Sequence, residues 1–260
     1  MSRAPQTRPP IVVMDLETVR SEVPAVVKPG QEDRVPAAPH HRIVCAGLLA
    51  LDAKTMCVRM RPDGAPALSL AGGPGASERD ILVALRKADQ AEVQWVTFNG
   101  RGFDWSVVIA RCMRHRIVWP ALFQKCLNGR YETGAHLDLM DQMTWFGASS
   151  WPSADAVAKS IGMPGKGDIG GSDVQRLVDE GRLADVEDYV LHDIVNEAGI
   201  AMVQALVSGF FGKDESIALV AYQLAARSLV DLIDTDDRLL AMRPRLDREL
   251  FLYMGEGCTR

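Results

Sequence analysis

Two acidic residues, Asp15 and Glu17, stand at the end of an apolar stretch that runs from Ile11 to Thr18. In a β-strand, successive side chains alternate between the two faces, so these carboxylates would share one face. Two neighbouring carboxylates on an apolar strand repel each other and lose hydration unless a cation lies between them. Oxygen ligands at this spacing suit Mg²⁺ or Mn²⁺. The pair is therefore a candidate metal site; the alternative is a strand end at which both acids reach solvent.

A third acid, Asp104, follows a turn that contains two glycines. The sequence from 98 to 104 reads FNGRGFD, which places Asp104 in the first turn of a helix predicted over 103–114. Phe103 would anchor the turn in the core. A helix N-terminus stabilises negative charge, so a capping role alone would also account for Asp104.

A fourth acid, Asp193, lies on a helix predicted over 184–205. Tyr189 precedes it by four residues and shares its helical face. Val186 and Ile200 flank that face, so Asp193 would be an acid on an apolar stripe. A cation shared with the acids of the first strand would be a suitable partner. A hydrogen bond to nearby backbone is the alternative.

The elements that position these acids describe a mixed α/β sheet with helices packed on it. The chain has 260 residues, of which 47% are hydrophobic, and a net charge of −5. That composition supports a sizeable core and argues against a strongly basic nucleic-acid coat protein. Strands are predicted at 11–17, 42–51, 54–61, 93–98 and 136–140, with 42–51 and 54–61 forming a hairpin; helices are predicted at 78–88 with Ser77 as N-cap, 103–114, 153–161, 172–181, 184–205, 216–232 and 245–254.

We expect one domain over 11–260, with a disordered lead at 1–10 and a helical C-terminal extension from about 205. The Pro-rich stretch 19–41 and the Gly-rich stretch 162–171 are predicted to be mobile loops that flank a cleft. The five cysteines are scattered and indicate no zinc site. With no signal-peptide pattern and no long apolar run, a cytoplasmic protein with no membrane partner is expected.

Together the acids resemble the motifs of the DEDD superfamily of 3′–5′ exonucleases. Asp15 and Glu17 match the first motif, Asp104 the second, and Tyr189 with Asp193 the third. The spacing Tyr-x-x-x-Asp is similar to the tyrosine subtype, DEDDy. The histidine subtype would need a histidine five residues before Asp193, where this chain has an aspartate.

A closer resemblance is to the predicted exonucleases related to the proofreading domain of family B DNA polymerases. The stretches TFNGRGFDW, HLDLMDQM and GMPGKGDIGGSDV carry it, and it extends from about residue 11 to past residue 200. It implies a ribonuclease-H-like α/β fold, a mixed sheet flanked by helices with a helical C-terminal part. Asp15 and Glu17 would lie on the central strand, with Asp104 and Asp193 within reach of them.

This resemblance implies an enzyme that hydrolyses phosphodiester bonds from the 3′ end of single-stranded nucleic acid and releases nucleoside 5′-monophosphates. Two ions, Mg²⁺ or Mn²⁺, would be held by Asp15, Glu17, Asp104 and Asp193. One would activate the attacking water, and the other would stabilise the leaving 3′ oxygen. Tyr189 would orient the water, because a tyrosine with a pKa near ~10 is a poor general base.

A single strand would be held by stacking on aromatic rings and by charges along its backbone. The residues expected to bind substrate are Thr18, Asn99, Arg101, Phe103 and Lys166; further candidates are Lys125 and Arg130 for phosphate, and Trp105, Trp145, Phe146 and Trp151 for stacking.

We expect DNA 3′ ends as the substrate and replication or repair proteins as partners. An RNA exonuclease is an alternative, because the 2′-hydroxyl is recognised by local contacts that the sequence does not locate. A non-catalytic nucleic-acid-binding module on the same fold is another. The intact set of acids argues against a binding module.

Overall fold

The computed structural model describes residues 9–25, 35–89, 93–122 and 131–253, and these contain a five-stranded mixed sheet. Its spatial order is β3-β2-β1-β4-β5, with β1 antiparallel to β2 and parallel to β4. The outer pairs are β2 with β3, antiparallel, and β4 with β5, parallel. β1 is thus the central strand, as predicted. The strands are β1 (Ile11–Arg20), β2 (His41–Leu51), β3 (Leu68–Ala71), β4 (Gln94–Thr97) and β5 (His136–Asp138).

Helices pack on both faces of the sheet, which confirms the predicted α/β class. The α-helices with described bounds are α1 (Glu78–Asp89), α2 (Asp104–His115), α3 (Leu139–Met143), α4 (Ala154–Ser160), α5 (Val174–Asp179), α6 (Leu183–Val207), α7 (Glu215–Thr235) and α8 (Arg248–Phe251). Short 3₁₀ helices cover Ala38–His40, Gly171–Asp173 and Asp237–Arg245.

The apolar residues of β1 alternate between the two layers of helices. Val12, Met14 and Leu16 pack with residues of α1 and α2. Ile11 and Val13 pack instead with residues of α6 and α7. This alternation is the predicted one, and it directs the acids of β1 toward the α6 side of the sheet.

The start of α1 is stabilised by reciprocal hydrogen bonds. The backbone N–H of Asp80 donates to Ser77 Oγ at 3.3 Å, and the Ser77 N–H donates to Asp80 Oδ2 at 3.0 Å. This exchange is a capping arrangement that satisfies two backbone donors at the helix start. The prediction of Ser77 as N-cap is confirmed.

The predicted strand at 54–61 is wrong. The Asp52 carboxylate accepts hydrogen bonds from the backbone N–H groups two and three residues further on, both at 2.9 Å. Met56 follows with φ of 60°, so the chain leaves the extended conformation there. The outer edge of β2 pairs instead with β3, a strand that the sequence did not predict.

The C-terminal part is helical as expected, although its elements differ in length. In place of one helix over 245–254, the chain forms the 3₁₀ segment Asp237–Arg245 and the short α8. Pro244 lies within the 3₁₀ segment and lacks the N–H that an α-helix needs. Most of the expected lead at 1–10 and the middle of the stretch 19–41 lie outside the described residues.

Two of the described helices, α6 and α7, are long and apolar enough to cross a membrane by length and composition alone. In the most apolar part of α6, 72% of the segment is buried inside the protein; the corresponding share for α7 is 44%. A core helix of a soluble protein meets the same criteria, so the lengths are weak evidence for membrane insertion.

α6 approaches β2 closely at Gly47, which pairs with Asp15 across the β1–β2 ladder. A Cβ atom at Gly47 would lie 3.0 Å from Ile194 Cδ1 and 3.2 Å from the carbonyl oxygen of Val190. Such distances are shorter than ordinary carbon contacts. Glycine therefore lets α6 pack against the sheet at the helical turn that carries Asp193.

We predict that Gly47→Ala destabilises the protein by about 1–3 kcal/mol, because the added methyl group overpacks the contact with α6. Urea unfolding would measure the change. Gly134→Ala is the matched control, since a Cβ atom there meets no atom within 4 Å, and its effect should stay within about 0.5 kcal/mol. Equal stability of the two variants would contradict the close approach at Gly47.

Candidate metal centre

Three carboxylates from two elements meet beside the second half of β1. One ligand oxygen each from Asp15, Glu17 and Asp193 lie within 4.8 Å of one another. Glu17 is 7% exposed, and the Asp193 side chain is 13% exposed. The spacing is well inside the ~8–10 Å that ligands of shared oxygen-bound cations allow. Carboxylate oxygens crowded in this way fit a hard divalent cation such as Mg²⁺ or Mn²⁺.

Asp104 lines the same cavity of about 350 Å³ as these three acids, although it lies outside their compact group. It is 3% exposed, and its Oδ1 has no hydrogen-bond partner among the residues that the structure describes. The preceding turn explains its placement. Asn99 has φ of 64°, and a Cβ atom at Gly100 would lie 2.2 Å from Thr97 Oγ1, so only glycine fits there.

Asp138, at the end of β5, holds that turn in place. Its Oδ1 accepts hydrogen bonds from the N–H groups of Asn99 at 3.0 Å and Met140 at 3.1 Å. Its Oδ2 accepts from the Arg101 N–H at 2.9 Å. The carboxylate therefore caps α3 and orders the turn before α2 at once. The motif HLDLMDQM contributes through this positioning role, which sequence reasoning did not assign.

Tyr189 lies one helical turn before Asp193 and is 4% exposed. The ammonium group of Lys166 donates a hydrogen bond to its hydroxyl and lies 3.4 Å from Asp193 Oδ2. The segment before Lys166 is tied to α6, because the Gly165 N–H donates to Asn196 Oδ1 at 3.0 Å. The Gly-rich stretch thus places the positively charged Lys166 side chain beside the acids.

Burial and mutual repulsion raise the pKa values of the acids. Burial first, then the charges of Asp104 and Asp193, raise the pKa of Asp15 well above its ordinary value. Burial first, then the charges of Asp15 and Asp193, raise the pKa of Glu17 well above its ordinary value. Burial raises the pKa of Asp104 to about 7. Without cations, the centre therefore favours partial protonation.

The basic and phenolic groups also shift. Burial alone would lower the pKa of Lys166, but the carboxylates of Asp193, Asp15 and Glu17 raise it above its usual range. Burial, followed by the charge of Asp193, raises the pKa of Tyr189. Lys166 is consequently charged and the tyrosine hydroxyl protonated near neutral pH.

A further acid, Glu197, faces the same cavity and was missed by sequence reasoning. It is 4% exposed, and its Oε2 has no hydrogen-bond partner within the described part of the chain. The available signal was its spacing, since it follows Asp193 by four residues on α6 and so shares the same helical face.

A larger cleft of about 1390 Å³ adjoins the acids. Of the predicted substrate-binding residues, Thr18, Asn99 and Phe103 line it, and the Gly-rich stretch contributes Gly171. Thr18 Oγ1 lies 3.0 Å from His41 Nδ1. The described parts of the stretch 19–41 form much of the wall, as expected of a loop that flanks a cleft. Mobility of this loop and of 162–171 stays a prediction.

One wall of the cleft is held by ion pairs between the chain after β1 and α2. Arg111 Nη2 lies 3.1 Å from Glu22 Oε2, and Arg114 also pairs with Glu22. Arg111 in turn makes two hydrogen bonds to the buried Glu78, at 2.7 and 2.8 Å. Such bidentate pairs fix both partners in position.

The remaining candidates lie away from the cavity and cleft. Arg101 pairs with Asp141 at 2.7 Å and lines neither, so its role as a substrate contact stays a prediction. Trp105 is 5% exposed and packs in the core, so its prediction as a stacking residue is wrong. The exposed Trp145 and Trp151, and Phe146, which packs on Tyr131, line neither space. Lys125 and Arg130 lie outside the described residues.

Comparison with known proteins places the chain in a family. Residues 38–228 match the family model for predicted 3′–5′ exonucleases related to the exonuclease domain of PolB. The chain belongs to this family. The matched range includes Asp104, Tyr189 and Asp193, whereas Asp15 and Glu17 precede it.

One solved structure shows the same fold at low sequence identity, and a second is similar over much of the chain. The family B DNA polymerase of the archaeon Pyrobaculum calidifontis is 15% identical, with a TM-score of 0.54 over 86% of this chain and 29% of the polymerase. Exonuclease I is 14% identical, over 87% of this chain and 46% of its own, but its TM-score of 0.31 is too low to compare details. The chain thus spans less than half of either protein. No curated protein matches it.

We predict that Asp104→Asn stabilises the cation-free protein at pH 8 but not at pH 4. The folded pKa of Asp104, about 7, exceeds its ordinary value of 3.8, so folding loses stability as pH rises from about 4 through 7. The variant escapes this loss and should gain about 1–3 kcal/mol at pH 8. Urea unfolding in EDTA at both pH values would measure it, and a gain independent of pH would contradict the burial of an ionisable Asp104.

Proposed function

We propose that the protein is a divalent-metal-dependent 3′–5′ exonuclease of the DEDDy type. It removes nucleoside 5′-monophosphates from the 3′ end of single-stranded nucleic acid, with DNA preferred. The observation that supports this most directly is the meeting of Asp15, Glu17 and Asp193 within 4.8 Å, in one cavity with Asp104. Membership in the exonuclease family supports the same reaction.

The four acids fit the role of cation ligands. They offer oxygen ligands only, they are largely buried, and one Asp104 oxygen accepts no hydrogen bond from any described residue. When bound, Mg²⁺ or Mn²⁺ would neutralise the carboxylates and supply Lewis acidity to water and phosphate. Two such ions are proposed because four ionised carboxylates beside Lys166 would leave about −3, which one divalent ion alone would not neutralise.

Tyr189 positions the attacking water in this proposal. Its raised pKa keeps the hydroxyl protonated, so it donates a hydrogen bond rather than accepting a proton. Lys166, charged and next to this hydroxyl, is placed to meet a phosphate oxygen of the substrate. These two residues orient the reactants, and neither needs to change protonation state.

The cleft beside the cavity would hold the strand. Thr18 and Asn99 offer hydrogen-bonding groups there, and Phe103, which also borders the acids, offers a ring for stacking. A cytoplasmic location and action with replication or repair proteins belong to the same proposal. They are suited to an enzyme that acts on DNA ends.

The test uses 5′-labelled single-stranded DNA and RNA oligonucleotides with Mg²⁺, Mn²⁺ or EDTA. We expect a ladder that shortens from the 3′ end, faster on DNA, and absent in EDTA and in Asp193→Ala. Faster degradation of RNA would reverse the sugar preference. Binding without degradation under all conditions would reject the enzyme in favour of a binding module.

We predict that Tyr189→Phe lowers turnover by about 10- to 150-fold, since one transition-state hydrogen bond contributes about 1.5–3 kcal/mol. Asp193→Ala should cost more, because it removes a metal ligand. Turnover per folded molecule, with oligonucleotide binding in Ca²⁺ as control, would separate catalysis from folding. Full activity in folded Tyr189→Phe would remove the tyrosine from the mechanism without affecting the four-carboxylate site.

A further inference from the structure

Glu197 is a buried acid that neither the DEDD motifs nor the proposed mechanism uses. It lies on α6, the helix that carries Asp193, and faces the cavity of about 350 Å³. It is 4% exposed, yet its Oε2 has no hydrogen-bond partner among the described residues. A carboxyl oxygen buried without a partner costs considerable free energy, so its presence calls for a ligand.

A second orphaned oxygen faces the same space. Asp104 Oδ1 is also buried and without a hydrogen bond in the described part of the chain. Asp104 begins α2 and Glu197 lies on α6, so the two acids reach the cavity from opposite faces of the sheet's edge. The compact group of Asp15, Glu17 and Asp193 excludes both of them.

We propose that Glu197 is a fifth carboxylate of the cation centre and that, with Asp104, it would hold a cation at a second position in the same cavity. This inference rests on the proposed function. The first position is then the compact group of Asp15, Glu17 and Asp193.

Charge balance agrees with this assignment. The acids that repel Glu197 are Asp15, Asp104 and Asp193, in that order, and Asp138 adds to them. If the five acids of the proposed centre were ionised beside Lys166, they would carry about −4, which two divalent cations would neutralise. Asp155, a sixth acid that lines the cavity, pairs instead with Lys159 at 2.9 Å. A hydrogen-bonded structural role would instead require a donor for Oε2.

The test measures Mn²⁺ binding to the whole protein without nucleic acid, by calorimetric titration and by the metal-dependent rise in melting temperature. The wild type should bind two equivalents. Glu197→Gln, which keeps the side-chain shape, should lose one equivalent or weaken it at least about tenfold. Glu215→Gln, at the exposed start of α7, is the matched control and should bind like the wild type.

Glu197→Asp guards against a folding artefact. A shortened carboxylate should retain more Mn²⁺ binding than glutamine does, whereas a packing role predicts that aspartate is no better. Asp15→Asn distinguishes a failure of the Glu197 proposal from a failure of the proposed metal-dependent function. If Asp15→Asn weakens Mn²⁺ binding and Glu197→Gln does not, Glu197 is not a cation ligand and the proposed function stands. If the wild type and Asp15→Asn respond to Mn²⁺ alike, the metal-dependent function itself fails.

Discussion

The structure depends on holding several carboxylates together in a space with little water. Asp15, Glu17 and Asp193 lie within 4.8 Å, and burial is the largest cause of the raised pKa of each. Isolated carboxylates would separate and hydrate. They stay together because β1 and α6 are packed by apolar contacts on either side of the acids, so the core stabilises an arrangement that electrostatics opposes. A divalent cation would convert that opposition into binding free energy.

The contact between α6 and the sheet therefore determines the geometry of the centre. Gly47 removes the side chain that would separate Val190 and Ile194 from β2. The acids of α6 then follow from helical spacing, because residues four apart lie above one another. Asp138 positions the second-motif acid in a similar way, because its carboxylate accepts hydrogen bonds that order the turn before Asp104.

The sequence predicted most of this arrangement where local rules apply. Alternation on β1, the four-residue spacing from Tyr189 to Asp193 and the N-cap Ser77 follow from strand and helix geometry alone. The strand prediction at 54–61 is wrong, because the Asp52 carboxylate accepts hydrogen bonds from nearby backbone N–H groups. Residues with high β-propensity therefore begin with a turn. The prediction that Trp105 stacks on the substrate is wrong because the side chain is buried in the core, and burial depends on tertiary contacts that the sequence does not show. The roles of Asp138 and Glu197 likewise appear only once distant elements meet.

Lys166 shows how the centre can persist before any cation arrives. Its ammonium group lies 3.4 Å from Asp193 Oδ2. Its positive charge lowers the pKa values of Asp15 and Glu17 and so favours their ionised forms. Because a lysine has a flexible stem, Lys166 could shift from the acids to an incoming phosphate. An arginine fixed in a bidentate pair, as Arg111 is with Glu78, would shift less readily. In the proposed mechanism, the same side chain would therefore partly balance the charge of the acids without a cation and contact the substrate once cations are bound. Its place on a Gly-rich stretch, rather than on the rigid α6, is consistent with both tasks.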